Sequence, residues 1–317
     1  MIRVTRRVVT SFLRAPRVNG ALRTLARVRG HRLVLVYHRV GAPVRPGSEI
    51  IPSVPADMFR LQLQTLGEVV DFVTLDELLQ DEPLRPTVGD RRRPAVALTF
   101  DDDLPSHVEH ALPVLQELGV PAAFFLSGRG LHGLGAYWFQ DLEALLVAYG
   151  EQHLAAMLRV PEHSEGLMLA CERDRDLRRR VRELATRIPA PEILQPEGIA
   201  ALVAANMAIG FHTLDHDILP DLDDRMLEEA VSRGLQELAT IAGANPKYFA
   251  YPHGKCDTRS AAAVERAGFK AAFTGMPHAV RRTDDRYRLG RWEPGPVAGQ
   301  DLLSKTAVRL HRSASSP

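Results

Sequence analysis

Residues Ala95 to Asp103 read AVALTFDDD, and the fold class turns on this stretch. After the charged Arg91-Arg92-Arg93 and Pro94, Ala95 to Thr99 form an apolar, β-prone run, the pattern of a short buried strand. A strand buried on both faces is typical of a parallel sheet, where chemistry gathers at the carboxyl ends of the strands. Three consecutive aspartates stand at that end. Aspartates also make solvated turns and helix N-caps, so Asp101 to Asp103 alone leave both readings open.

Working outward, strands are expected at His31–Val40, Val69–Thr74, Pro121–Ser127, Met207–Phe211, Tyr248–Tyr251, Lys270–Thr274 and Tyr287–Trp292. Helices are expected from Pro55, at Leu75–Gln80, at His110–Leu118 with Gly119 as its stop, at Tyr137–Tyr149 and at Pro196–Ala205. A long amphipathic helix is expected at Arg225–Ala242 and a shorter one at Arg259–Ala267. Glu151 to Ile188 reads as mostly helical, its charges around Arg173–Arg182 forming a solvated face. Asp81–Pro94 reads as a loop and the tail from Arg309 as frayed. The alternation of strand and helix predicts a parallel α/β fold, either an open sheet or a barrel.

The composition is that of a globular chain: 317 residues, 45% hydrophobic and 25% charged, with a net charge of +1. That balance gives no reason to expect a nucleic-acid partner. Cys171 and Cys256 are too few for a disulfide framework and read as free thiols. Gly128–Gly135 lacks the lysine-bearing phosphate-loop pattern, which argues against nucleotide binding. Met1 to Arg32 is arginine-rich and has no acidic residue. Arg7, Arg14 and Arg17 interrupt its apolar runs, so no secretory signal is readable. The segment reads either as a poorly ordered tail or as a basic amphipathic helix making peripheral contact with a membrane or a partner. A cytoplasmic or peripheral-membrane location is therefore expected.

The polar residues with chemical potential fall at predicted strand ends: His38, Asp101-Asp102, His212, His253 and Arg291. In a (β/α) barrel those ends converge on one face. His212-Thr213-Leu214-Asp215-His216 places two imidazoles four residues apart, and two histidines with one carboxylate are a common catalytic metal set. The His-Glu-x-x-His pattern of metalloproteases is absent. Two adjacent aspartates could divide the work, one as ligand and one as base.

TFDD at Thr99–Asp102 with HTxxH at His212–His216 resembles the polysaccharide deacetylases, also called the NodB-homology domain or carbohydrate esterase family 4. YHRV at Tyr37–Val40, ALPVL at Ala111–Leu115, GVPAAFF at Gly119–Phe125 and FAYPHG at Phe249–Gly254 support the likeness. It spans residues 31 to 295, which divides the chain into a basic segment 1–30, a catalytic domain 31–295 and a tail 296–317.

The resemblance implies a distorted (β/α) barrel of the NodB-homology type with a rearranged strand order. It also implies one divalent metal ion, commonly zinc with other divalent metals as options, and a glycan or sugar substrate. Asp101 maps to the catalytic base, Asp102, His212 and His216 to the metal ligands, and Pro252-His253-Gly254 to the turn whose backbone N–H holds the oxyanion. His38 maps to the general acid of members with Tyr-His on an N-terminal strand. Asp103 departs from the glycine many members carry, and Ala250 from an arginine that pairs with the catalytic aspartate. Arg291, in LGRW, could supply that guanidinium from the next strand. His311 is a poor match to the usual C-terminal Leu-His motif. His107 reads as a cleft or surface histidine, Trp138 and Trp292 as core or sugar-stacking residues.

The expected activity is metal-dependent removal of acetyl groups from N-acetylated sugars of a polysaccharide or glycan precursor. Alternatives are a deacylase or deformylase acting on a lipid-linked sugar or another non-peptide C–N bond, and an inactive glycan-binding module. A non-haem iron oxygenase shares the two-histidine, one-carboxylate set, but its His-x-Asp ordering is absent.

Overall fold

In the computed structural model, residues 31–42, 44, 49–80, 93–160 and 164–311 are described. The basic segment 1–30, most of the expected loop at 81–94 and residues 312–317 lie outside them. Among the described residues no helix is long and apolar enough to cross a membrane.

The first half of the chain gives β1 (Arg32–Tyr37), β2 (Arg39–Val40), β3 (Ser53–Val54), α1 (Ala56–Gly67), β4 (Asp71–Phe72), α2 (Leu75–Leu78) and β5 (Ala95–Asp101). A π-helical turn, His107–Ala111, leads into α3 (Leu112–Leu118), then β6 (Ala122–Leu126). Four helices follow: α4 (Trp138–Tyr149), α5 (Glu151–Leu158), α6 (Ser164–Arg173) and α7 (Arg175–Ala185). The chain continues through α8 (Pro196–Ala204), β7 (Ala208–Phe211), α9 (Asp224–Ala230), α10 (Leu235–Ala242) and β8 (Tyr248–Ala250). It ends with α11 (Thr258–Arg266), β9 (Ala271–Phe273) and α12 (Gly299–His311).

Among the described residues, seven strands form one parallel sheet in the order β1-β5-β6-β7-β8-β9, with β4 beside the first residues of β5, and β2 pairs with β3 in a separate two-stranded sheet. β5 is buried along its whole length, as its apolar run predicts. Its residues alternate between two cores. Val96, Leu98 and Phe100 join the large cluster beneath the outer helices, while Ala95 and Ala97 face a smaller cluster with Val34, Ala123, Phe125, Ala250 and Phe273. Many side chains in that second cluster are alanines, as the narrow inside of a curled sheet demands. Following the pleat, Thr99 and then Asp101 continue the inner row.

The stretch expected as a strand at Tyr287–Trp292 makes single bridges instead: Leu289 to Phe273 of β9 and Trp292 to Leu35 of β1. Those bridges draw the two sheet edges toward each other, giving a distorted barrel. The expected helix Arg225–Ala242 is two helices, α9 and α10, broken before Gly234, whose φ is 85°. The stretch read as frayed from Arg309 includes the last turn of α12, which buries Leu302, Leu303, Ala307 and Leu310. Helices α4 to α7 carry a core of their own around Trp138, Leu142, Leu146, Leu154 and Val181, beside the open end of the barrel.

Candidate active site

Asp101 is the last residue of β5 and points into the barrel mouth. It is 3% exposed and takes a two-pronged hydrogen bond from Arg291, with Nη1–Oδ1 at 2.6 Å and Nη2–Oδ2 at 2.7 Å. Arg291 is itself held by the Thr274 carbonyl and the Thr99 hydroxyl, both at 3.3 Å, and lies over the Phe125 ring. Burial pushes the Asp101 carboxyl up, but the Arg291 guanidinium, helped by His212 and His38, outweighs it and holds the group down at about 2. Asp101 is therefore a carboxylate throughout the neutral range.

The chain reverses at Asp102, whose φ of 73° is in the left-handed region. The reversal turns its carboxylate toward the loop after β7. There His212 Nε2 lies 3.6 Å and His216 Nε2 3.4 Å from Asp102 Oδ1. Thr213 and His216 are left-handed too, so the five-residue HTLDH segment folds into a tight loop rather than a helical turn. His212 donates its Nδ1–H to the Ala250 carbonyl at 2.8 Å, which leaves Nε2 as the lone-pair nitrogen. Burial drives His216 well below the usual histidine range, which makes it a neutral imidazole.

These three side chains fit a metal ion. One donor atom from each lies within 4.8 Å of the others, and all three residues are buried. Asp102 Oδ1 has no hydrogen-bond partner among the described residues. Burial raises the Asp102 carboxyl against the pull of His212 and His38. An acid so buried, with an idle oxygen facing two ring nitrogens, makes a donor set that could hold a divalent cation.

The remaining expected residues surround this centre. His38, between β1 and β2, pairs through Nδ1 with Glu293 Oε1 at 3.1 Å. Burial lowers its pKa, but Glu293 above all, with Asp102 and Asp101, raises it to about 9. Pro252 is buried at the start of a tight turn after β8, and His253 follows with φ 57°. His253 Nδ1 meets Glu172 of α6 at 3.2 Å, and its ring lies 4.7 Å from that of His216. A cavity of about 470 Å³ is lined by His38, Asp101, Asp102, His212, His216, His253, Arg291 and Glu293. Its apolar walls come from Ile50-Ile51-Pro52, from Phe139 and Met168 of the helical insert, and from Trp292.

The polysaccharide deacetylase profile matches residues 88–272, more than half the chain. The chain belongs to the polysaccharide deacetylase family. Solved structures share its fold. The Streptococcus pyogenes deacetylase PplD, in complex with acetate, aligns at 16% identity over 88% of this chain and 99% of its own, with a TM-score of 0.61. IcaB from Ammonifex degensii aligns at 22% identity over 89% and 98%, TM-score 0.57. A de-N-acetylase from Aggregatibacter actinomycetemcomitans aligns at 14% identity over 82% and 94%, TM-score 0.54. No curated protein matches the chain.

The places where this member departs from the family pattern are filled from elsewhere. Ala250 offers its carbonyl to His212, and the guanidinium on Asp101 comes from Arg291. Asp103, in place of glycine, is fully buried and accepts from Ser127 N–H, the Ser127 hydroxyl and Arg129 N–H at 2.6–2.9 Å. Arg129 in turn donates to the Leu214 carbonyl, between the two triad histidines, at 2.8 Å. Trp138 belongs to the core of the insert and Trp292 to the cavity wall. Sequence reading missed Glu293 and Glu172. Glu293 had a signal: two residues beyond Arg291 in an extended segment, it faces the same side. Glu172 had none, because nothing local relates α6 to the turn after β8.

Proposed function

We propose that the protein is a metal-dependent hydrolase that removes acetyl groups from N-acetylated sugars of a polysaccharide or glycan precursor. The observation that carries this is the Asp101–Arg291 pair standing directly beside the Asp102, His212, His216 triad. Asp102, His212 and His216 would hold a divalent cation, zinc by its donor set, which supplies a Lewis acid for the amide carbonyl and makes water more acidic. Arg291 keeps Asp101 ionised, so that Asp101 takes the proton from the attacking water as the C–O bond forms. A backbone N–H of the Pro252-His253-Gly254 turn donates to the oxygen as negative charge develops on it. His38, kept protonated by Glu293, gives its proton to the sugar nitrogen as the C–N bond breaks. The acetate seen with the S. pyogenes deacetylase is the small product such a reaction releases.

The test is metal content together with acetate release from acetylated chito-oligosaccharides. Wild-type protein is expected to carry about one divalent ion and to release acetate. An Asp102→Ala, His212→Ala variant is expected to lose both. Wild-type protein that takes up no zinc on reloading would overturn the mechanism.

A further inference from the structure

His107 is fully buried, and none of the steps above uses it. Its Nε2 lies 2.9 Å from the Asp102 carbonyl oxygen and 3.1 Å from that of Asp101. Carbonyl oxygens only accept, so the proton sits on Nε2 and forks between them. Nδ1 is buried with no partner among the described residues, and burial holds the imidazole down at about 4, so the ring is neutral. The ring stands edge-on to Phe100 and Phe124, at 5.6 and 5.3 Å between centroids. It opens the π-helical turn His107–Ala111, a wide and uncommon turn.

The two carbonyls can share one donor only because the chain reverses between them. That reversal is the left-handed Asp102, a conformation non-glycine residues adopt rarely. If Asp102 relaxed to an ordinary φ, its carboxylate would swing away from His212 and His216. Without a donor beneath, both carbonyls would also lose this hydrogen bond, which favours rearrangement of the turn.

We propose that His107 is a positioning residue: from beneath the site its Nε2–H locks the Asp101–Asp102 turn and thereby sets where the Asp102 carboxylate meets the two histidines. The inference rests on reading that triad as a metal site. It assigns the residue a task in metal binding rather than in contact with the sugar.

Three variants separate the hydrogen bond from the packing. His107→Gln carries an N–H donor at similar reach. His107→Phe keeps the edge-on aromatic contacts without a donor, and His107→Met is a second donor-free filling should the Phe variant not fold. Zinc affinity is measured by competition with a chromophoric chelator, and thermal unfolding is followed on the metal-free proteins. The Phe or Met variant is expected to bind zinc about 10–100-fold more weakly, as for other groups that orient a ligand, while the Gln variant stays close to wild type. Equal zinc affinity in the donor-free variant and wild type, whatever the loss of metal-free stability, would reduce His107 to packing and overturn the proposal. A long-range proton–nitrogen NMR spectrum of the wild-type protein provides a check that needs no variant: the Nε2–H tautomer is expected at His107, and the Nδ1–H tautomer rules out the fork. Wild-type protein that binds no zinc overturns the metal reading itself, an outcome distinct from both.

Discussion

His38 shows how much one neighbour decides. Burial alone would strip its proton; Glu293 at 3.1 Å, with Asp102 and Asp101 beyond it, reverses the sign and holds the pKa near 9. A raised value means that the protonated form is complete below the ordinary histidine range and is lost as pH rises through about 9. If that form is the proton donor, kcat/KM falls on the alkaline side, and Glu293→Gln moves that limb to lower pH. A full pH–rate profile of both proteins checks this, and an unmoved limb would remove His38 from the role of acid. At this scale the sequence was legible where a residue type is rare and its place is regular. Asp101, Asp102, His212 and His216 stand at strand ends in recognisable spacing, whereas Glu172 became relevant only when a distant helix brought it to His253.

The elements explain why the turns are so constrained. The turn after β8 is pressed against the chain following β9: Gly275 N–H donates to the Gly254 carbonyl at 3.1 Å, and a Cβ on Gly254 would come within 2.4 Å of Gly275 N. With φ at 65°, Gly254 also sits where a side chain costs roughly 1–2 kcal/mol. Gly254→Ala is therefore expected to lose more than that in urea unfolding and to lower kcat, since the proposed oxyanion donor belongs to the same turn. Wild-type stability in that variant would show that the two loops move apart freely. Gly234 illustrates the opposite limit of legibility. A lone glycine inside a helical pattern costs only about 1 kcal/mol, so Arg225–Ala242 reads as one helix. In the fold the run breaks after Ala230, and the left-handed Gly234 starts α10 where the chain passes close to Leu214 of the histidine loop and to His132.

Across the whole molecule, the site is assembled from widely separated segments: the β1 end, the β5 end, the loops after β7 and β8, the closing segment at Leu289–Trp292, and the helical insert. A metal bound by groups from β5 and the β7 loop binds only the folded chain, so it adds to stability by mass action, about 2.7 kcal/mol at a hundredfold excess over Kd. Removing the metal with a chelator is expected to lower Tm, and restoring zinc to recover it. The Asp102→Ala, His212→Ala variant should show no such shift. A wild-type Tm indifferent to chelator would speak against a cation at the triad.

The sequence by itself determined the parallel α/β class and the strand-end aspartates. It also carried the histidine pair and the family likeness, because each of these is written in local pattern: apolar runs of strand length, polar residues at their ends, fixed spacings. Only the tertiary structure decided which carboxylate meets His38, which acid meets His253, and that His107 lies under the site rather than in it. Those contacts join residues up to 255 positions apart, His38 to Glu293, and depend on how the sheet curls and closes rather than on any neighbour along the chain.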